Sequence, residues 1–275
     1  MKKRRADELL YEQLALPSLE LARALIMEGR VMRGDTKVLG PGEMLAADAA
    51  LRVKGEIDHY VSRGAHKLRR ALERFSIDLA HRTCIDVGAS TGGFTDVMLR
   101  AGADRVYAVD VGYNLLDYTL RRDERVVVME RVNARFLDPE DFAEKPAFGA
   151  TDVSFISLKA VLPAVFRVMQ LDGRFVALVK PQFEAPAEDV GEKGVVRDAR
   201  VHKRVLEDIT GYVPETGWRL IGLDYSPIRG PEGNIEFLMD MAGPENHRTG
   251  MPVSIDEVLA QAYDNFFKSN KNACK

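Results

Sequence analysis

The chain has 275 residues, 46% hydrophobic and 29% charged, enough for about two domains of ~150 residues and too ordinary for a fibre or a disordered tail. Asp, Glu, Lys or Arg recurs often enough that a membrane span of ~20 apolar residues or a secretory leader is not expected. Two cysteines, Cys84 and Cys274, and five scattered histidines argue against a disulfide framework or a metal cluster, so no metal is expected and a reduced, cytoplasmic setting fits best. The net charge of -3 is uneven, with 15 Lys+Arg against 12 Asp+Glu over residues 1–80 and 24 against 30 over the rest. An anionic partner would have to meet local patches, Lys2–Arg5 and Arg63, Lys67, Arg69, Arg70 and Arg74, whose plainer reading is a solvated helix face.

Ala6, Leu9, Leu10 and Leu14 recur at helical spacing, Pro17-Ser18 interrupts, and Leu21, Ala22, Leu25 and Ile26 resume the pattern until Gly29. Two short helices are predicted. Short β-like pieces and turns follow, ending at Leu51–Val53, and Lys54-Gly55-Glu56 is the expected joint. From about residue 80, apolar runs alternate with helical segments, the pattern of a parallel sheet covered by helices. The predicted strands are Thr83–Val87, Arg105–Asp110, Arg125–Met129, Phe148–Asp152, Gly173–Lys180, Trp218–Asp224 and Ile235–Met239. The connection 226–233, SPIRGPEG, is too short for a crossover helix, so the last two strands should form an antiparallel hairpin at one edge. Ser254 and Glu257 form a capping box for a final helix with Val258, Leu259, Ala262, Phe266 and Phe267 on its apolar face.

Asp86, Asp110, Asp152 and Lys180 each stand at or just past the downstream end of a predicted strand. In a parallel sheet those ends share one edge, where ligands bind. The turn DVGASTGGF (86–94) supplies Gly88, Gly92 and Gly93 for close backbone approach, and a helix N-terminus follows it. Its third motif position is Ser90, not glycine, which disfavours a nicotinamide dinucleotide. Asp110, 24 residues beyond Asp86, suits a ribose clamp; Asn133 is placed either to read an adenine edge or to cap a turn. Gly88-Ala89-Ser90-Thr91-Gly92 also matches G-x-S-x-G, so a serine hydrolase with Ser90 as nucleophile stays open, although no oxyanion-hole segment precedes it. Glu236, between Ile235 and Phe237, and Lys180, after FVALV, need charged partners if buried, and pairing would satisfy both.

These residues carry a resemblance. Segment 86–94 with Asp110 resembles the cofactor site of class I S-adenosylmethionine-dependent methyltransferases. YVSRGAHKL (60–68), TDVSFISL (151–158), VKPQFE (179–184) and GNIEFL (233–238) look like the FtsJ-type ribose methyltransferases with their Lys-Asp-Lys-Glu tetrad, which by motif match falls on Lys67, Asp152, Lys180 and Glu236. Residues 5–60 are similar to the alpha-L RNA-binding domain of ribosomal small-subunit protein four. The combination resembles the TlyA/hemolysin-A family of rRNA 2′-O-methyltransferases. The resemblance implies a small α+β RNA-binding domain at 1–58, a Rossmann-like methyltransferase domain at 59–245 with a mostly parallel seven-stranded sheet and an antiparallel edge hairpin, and a C-terminal tail and helix at 246–275.

The implied reaction moves a methyl group from S-adenosylmethionine to a ribose 2′-hydroxyl of ribosomal RNA, cytidine by resemblance. Asp86, Gly88, Ala89, Ser90, Thr91, Gly92, Gly93 and Phe94 would hold the cofactor with Asp110 and Asn133. Lys67, Asp152, Lys180 and Glu236 would be catalytic, with Lys180 either the base or a donor that orients the hydroxyl. RNA delivery is assigned to the N-terminal domain and the basic segment 63–74, with Arg4, Arg5, Arg23, Arg33, Arg63, Arg69 and Arg70 as candidate contacts. Free RNA and an assembled ribosomal subunit both remain open as substrate. The loop Ala185–Arg197 reads as a lid or an ordinary surface loop. A non-catalytic RNA-binding assembly factor is a further alternative. Membrane lysis, implied by the hemolysin name, has neither a span nor a cationic amphipathic helix behind it.

Overall fold

The computed structural model describes residues 3–16, 18–55 and 60–268, in two compact units that divide between Val61 and Ser62. Lys2, Pro17, Glu56 and Cys274, which figure in the sequence reading, lie outside the described residues. The first unit runs β1 (Lys3–Arg5), α1 (Ala6–Gln13), α2 (Leu19–Met27), β2 (Val31–Arg33), β3 (Thr36–Lys37), β4 (Met44–Ala46) and β5 (Leu51–Val53). Ser18 caps α2 by accepting from the Leu21 amide at 3.1 Å, as its place before the periodic run predicts. Leu9, Leu10, Leu25 and Ile26 from the two helices meet Val31 and Leu45 in a small core. β1 pairs with β4, and β2 lies between β3 and β5.

The second unit contains α3 (Ala65–Arg74), β6 (Thr83–Val87), α4 (Gly93–Arg100), β7 (Arg105–Asp110), α5 (Tyr118–Arg121), β8 (Val126–Glu130), β9 (Phe148–Thr151), α6 (Leu158–Val168), β10 (Arg174–Val179), α7 (Pro181–Glu184), α8 (Ala199–Tyr212), β11 (Arg219–Tyr225), β12 (Phe237–Ala242) and α9 (Ile255–Tyr263). One seven-stranded sheet has the order β11-β12-β10-β9-β6-β7-β8. Strands β10, β9, β6, β7 and β8 pair in parallel, and β12 is antiparallel to both β10 and β11. The expected edge hairpin is present. All six residues of β10 are buried, which is why that stretch reads as a continuous apolar run. Its one charge, Arg174, is held by Asp240 of β12 through contacts of 2.8 and 2.5 Å.

One boundary differs from the sequence reading in a way that bears on function. The last strand begins at Phe237, not Ile235, because Asn234 is spent elsewhere: its Oδ1 accepts from the Val196 amide at 3.0 Å and its Nδ2 donates to the Gly194 carbonyl at 2.9 Å. Glu236 therefore precedes the strand rather than alternating within it. The same two bonds fasten the 185–197 segment down, and Val195 and Val196 are buried there. At the C-terminus, Ser254 accepts from the Glu257 amide as the capping box predicts, and Val258, Leu259 and Ala262 are buried.

Candidate active site

The four strand-end charges come together at one edge. Asp86 belongs to β6, Asp110 ends β7, Asp152 follows β9 and Lys180 follows β10, and these strands run in parallel. Two cavities open along that edge. One, of about 340 Å³, is lined by Arg63, Lys67, Asp86, Asp152, Lys180 and Glu236, among others. The other, of about 510 Å³, has Asp110 and Asn133 among mostly apolar walls that include Val109, Leu115, Val132, Ala134, Ile156 and Val161. Gly88, Ser90, Asp152 and Ser154 line both. Both volumes fall in the range of ligand sites, ~300–1,000 Å³.

The smaller cavity is built on ion pairs between distant segments. α3 turns Ala65, Leu68 and Ala71 to the interior, and Lys67 lies on that buried face. Its Nζ is 3.1 Å from Asp152 Oδ2 and 2.9 Å from Glu236 Oε2. Lys180 Nζ is 2.6 Å from Asp152 Oδ1 and donates to Ser154 Oγ at 2.8 Å. Two ammoniums and two carboxylates thus cancel in charge, the condition under which such groups tolerate burial. Burial pulls the Lys67 pKa down, but Asp152 and Glu236 outweigh it and hold the ammonium above the usual lysine value. Burial also raises Glu236, against the opposing pull of Lys67.

Asp86 is the exception to this neutrality. Its Oδ2 accepts from the Thr95 amide and hydroxyl at 2.9 and 2.7 Å, whereas Oδ1 is buried without a hydrogen-bond partner. Burial, only partly offset by Thr95 and reinforced by the nearby charges of Asp152 and Asp110, lifts its pKa to about 7. The glycine-rich turn beyond it requires its glycines. Gly88 has φ +83°, and a Cβ there would stand 3.0 Å from Val153 Cγ1, so the turn lies tight against the 152–156 segment. Ser90 and Phe155, on the two facing segments, also hold left-handed φ of 49° and 62°, a conformation that concentrates at ligand clamps.

Asp110 is fixed by two turns: Oδ2 accepts from the Ser90 amide of the glycine-rich turn at 2.8 Å, and Oδ1 from the Gly112 amide of its own turn at 2.7 Å. Each oxygen retains a further lone pair for a ligand. Asn133 Oδ1 accepts from the Arg135 amide at 3.1 Å, so the residue caps a turn and lines the cavity together. Ala89, Thr91, Gly93 and Phe94 line the smaller cavity; Gly92, whose φ of +94° starts α4, is not among its lining residues. Among the described residues no histidine lines either cavity with Ser90, and His202 is buried against the Tyr263 hydroxyl at 2.8 Å. Sequence reasoning missed Ser154 and the apolar walls. Ser154 lies two residues past Asp152, but nothing local marks a serine as the partner of a lysine on the next strand.

The candidate RNA arginines are placed as follows. Arg4 is held by Glu12 through two contacts of 2.6 Å, and Arg5 and Arg23 share the buried Asp7, whose carboxyl their hydrogen bonds bring down to about 2. Arg69 faces Glu73 at 3.5 Å, and Arg70 and Arg74 converge on the buried Asp224. Arg33 is exposed, and Arg63 lines the smaller cavity. Among the described residues no helix is long and apolar enough to cross a membrane.

A seven-stranded sheet with a reversed penultimate strand, and ligand cavities at its strand ends, defines a Rossmann-like class I methyltransferase. The family profile described as FtsJ-like methyltransferase matches residues 60–242, and the chain belongs to that family. It is 42% identical over 239 residues to the 16S/23S rRNA (cytidine-2′-O)-methyltransferase TlyA of Mycobacterium tuberculosis, covering 86% of this chain and 89% of that one. It is 37% identical to Hemolysin A of Brachyspira hyodysenteriae, over 85% of this chain and 98% of that one. A solved structure named as a hemolysin from Streptococcus thermophilus superposes with a TM-score of 0.79 at 45% identity, covering 98% of this chain and 99% of the other.

Proposed function

We propose that this chain methylates a ribose 2′-hydroxyl of ribosomal RNA, a cytidine ribose by analogy with the relatives, using S-adenosylmethionine. The observation that carries this reading is the Lys67–Asp152–Lys180–Glu236 cluster, whose Asp152 also lines the cavity ending in Asp110. When bound, S-adenosylmethionine supplies a methyl group already activated by a positive sulfur. The residues fit it. Asp110 retains a lone pair on each oxygen for the two ribose hydroxyls, and the apolar walls suit a flat base. Asn133, its oxygen occupied, has its amide NH₂ left to donate to the adenine. The unpartnered Asp86 Oδ1 is the buried acceptor that a methionine ammonium would satisfy, and that cation would draw Asp86 into its ionised form.

The chain's remaining task is placement. Holding two reactants in line supplies ~7–11 kcal/mol of a barrier, and a positioned proton-transfer group adds ~10²–10⁴-fold. Lys67 and Glu236 keep Asp152 in place, and Asp152 in turn keeps Lys180 Nζ at the wall between the cavities. Lys180 faces the incoming hydroxyl and, once it has passed one proton to Asp152 Oδ1, offers the hydroxyl a nitrogen lone pair. As the hydroxyl oxygen bonds to the methyl carbon and the carbon–sulfur bond breaks, the hydroxyl proton passes to Lys180 Nζ. The first unit, expected at 1–58 and extending to Val61, is assigned to RNA capture. Of its arginines, Arg33 is exposed, and Arg4, Arg5 and Arg23 would have to exchange an acidic partner for phosphate.

The test is transfer of tritiated methyl from S-adenosylmethionine to ribosomal RNA, followed by alkaline hydrolysis. A 2′-O-methyl group blocks cleavage at its own nucleotide, so label should survive in alkali-resistant dinucleotides. Label recovered in mononucleotides would place the methyl on a base and end the ribose assignment.

A further inference from the structure

Beyond residue 242, where the family profile ends, the chain packs back against the connection that leads to the smaller cavity, at Arg229 and Tyr225. Arg229 lies in the connection between β11 and β12. Its guanidinium carbon is 5.2 Å from the ring centroids of both Phe266 and Phe267, and it donates to the Phe266 carbonyl at 3.3 Å. Two aromatic rings and a carbonyl around one planar cation make a cation–π clamp. The Arg229 carbonyl in turn accepts from Arg63 Nη2 at 2.9 Å, and Arg63 lines the cavity.

The residues that follow Arg229 form the cavity wall. A Cβ on Gly230 would stand 2.8 Å from Glu236 Oε1, and Pro231 lines the cavity itself. Ser226 donates its amide to the Glu236 carbonyl at 2.8 Å and Gly230 to the Asn234 carbonyl at 2.9 Å, so the connection is one closed loop ending at Glu236. The clamp has its own anchor. Tyr263, at the end of α9, donates to the Arg197 carbonyl at 3.3 Å and stands 2.8 Å from His202 Nδ1, while Lys203 pairs with Asp256 at 2.7 Å.

We infer that Arg229 is a positioning residue for the acceptor side of the site, and that the C-terminal turn carrying Phe266 and Phe267 is the buttress that fixes it. This rests on the reading of the smaller cavity as the place where the RNA ribose enters. A free loop would let Arg63, Pro231 and the cover of Glu236 drift together. Asp86 shares this cavity but is held by Thr95, and Asp110, in the larger cavity, by Ser90 and Gly112, so the groups assigned to the cofactor do not depend on this loop.

The parent chain is compared with Arg229→Ala, Phe266→Leu and Phe266→Tyr. Methyl transfer gives kcat and KM for RNA, calorimetry gives S-adenosylmethionine affinity, and amide exchange is followed at Ser226, Gly230 and Gly233. Arg229→Ala and Phe266→Leu should each speed exchange at those amides and lower kcat/KM for RNA about ten- to a hundredfold, with cofactor affinity unchanged. Phe266→Tyr, which keeps the ring, should match the parent, and the double variant should be no worse than either single one. Cofactor affinity that falls in step with activity, losses that add in the double variant, or exchange that stays at the parental rate would each overturn the inference. If the parent chain transfers no methyl to RNA, the acceptor reading is what has failed, and the exchange measurement still decides the clamp.

Discussion

The two cavities share a wall and are built in opposite ways. The cofactor-side cavity takes its polar groups from turns that immediately follow a strand: Asp110 is fixed by amides of Ser90 and Gly112, and Asn133 by the amide of Arg135. In the acceptor-side cavity Lys67, Asp152, Lys180 and Glu236 come from α3, the end of β9, the end of β10 and the residue before β12, and each of these four charges is held by another from far along the chain. Local turns suit a site that must recognise one constant ligand. A long-range ion-pair network is unforgiving of misplacement, which suits a site whose work is alignment.

That contrast can be tested by separating turnover from affinity. The largest effect is expected for Lys180→Ala, which should cut methyl transfer by ~10²–10⁴-fold while calorimetry finds S-adenosylmethionine binding unchanged; a lost affinity would erase the division of labour. Glu236→Ala removes one of the two carboxylates around the buried Lys67, and should cost about 3 kcal/mol in urea unfolding. Asp110→Ala should weaken cofactor binding about ten- to a hundredfold, the worth of hydrogen bonds to a charged group, with kcat recovered at saturating cofactor. Recovery failing there would mean that the cofactor cavity also aligns the reaction.

The smallest effect concerns pH. Asp86 has a folded pKa near 7 against an ordinary 3.8, so the folded state binds the extra proton and stability falls as pH rises from about 4 to about 7. His202, brought down by burial to about 4, acts in the opposite sense, its contribution being lost as pH falls below about 6.5. The difference between the parent and Asp86→Asn isolates the carboxylate. Asparagine keeps an acceptor for Thr95, so the variant should lack the Asp86 slope and gain relative stability above pH 7, as read from urea midpoints across pH. Identical pH profiles would show that Asp86 is ionised throughout.

Much of the second unit was legible because its signals are short-range. Thr83–Val87 and Arg105–Asp110 are bounded in the structure where the apolar runs predict, and Ser18 and Ser254 cap the helices they precede. The strand-end position of Asp86, Asp110, Asp152 and Lys180 needed only the rule that parallel strands end at one edge. The basic segment 63–74 was less legible, since composition cannot show that Arg70 and Arg74 meet a buried aspartate on β11. Glu236 was placed inside a strand because alternation says nothing of Asn234, whose side-chain bonds delay the strand by two residues.

By itself the sequence determined the alternation of strands and helices, the caps, and which charges stand at strand ends, because each depends on residues within a few positions of one another. Only the tertiary structure decided which charges pair. Lys67 meets Asp152 across 85 positions and Arg63 meets the Arg229 carbonyl across 166. Pairings over such distances follow from how the sheet and its helices pack, and a buried charge is satisfied by whichever partner that packing brings within reach.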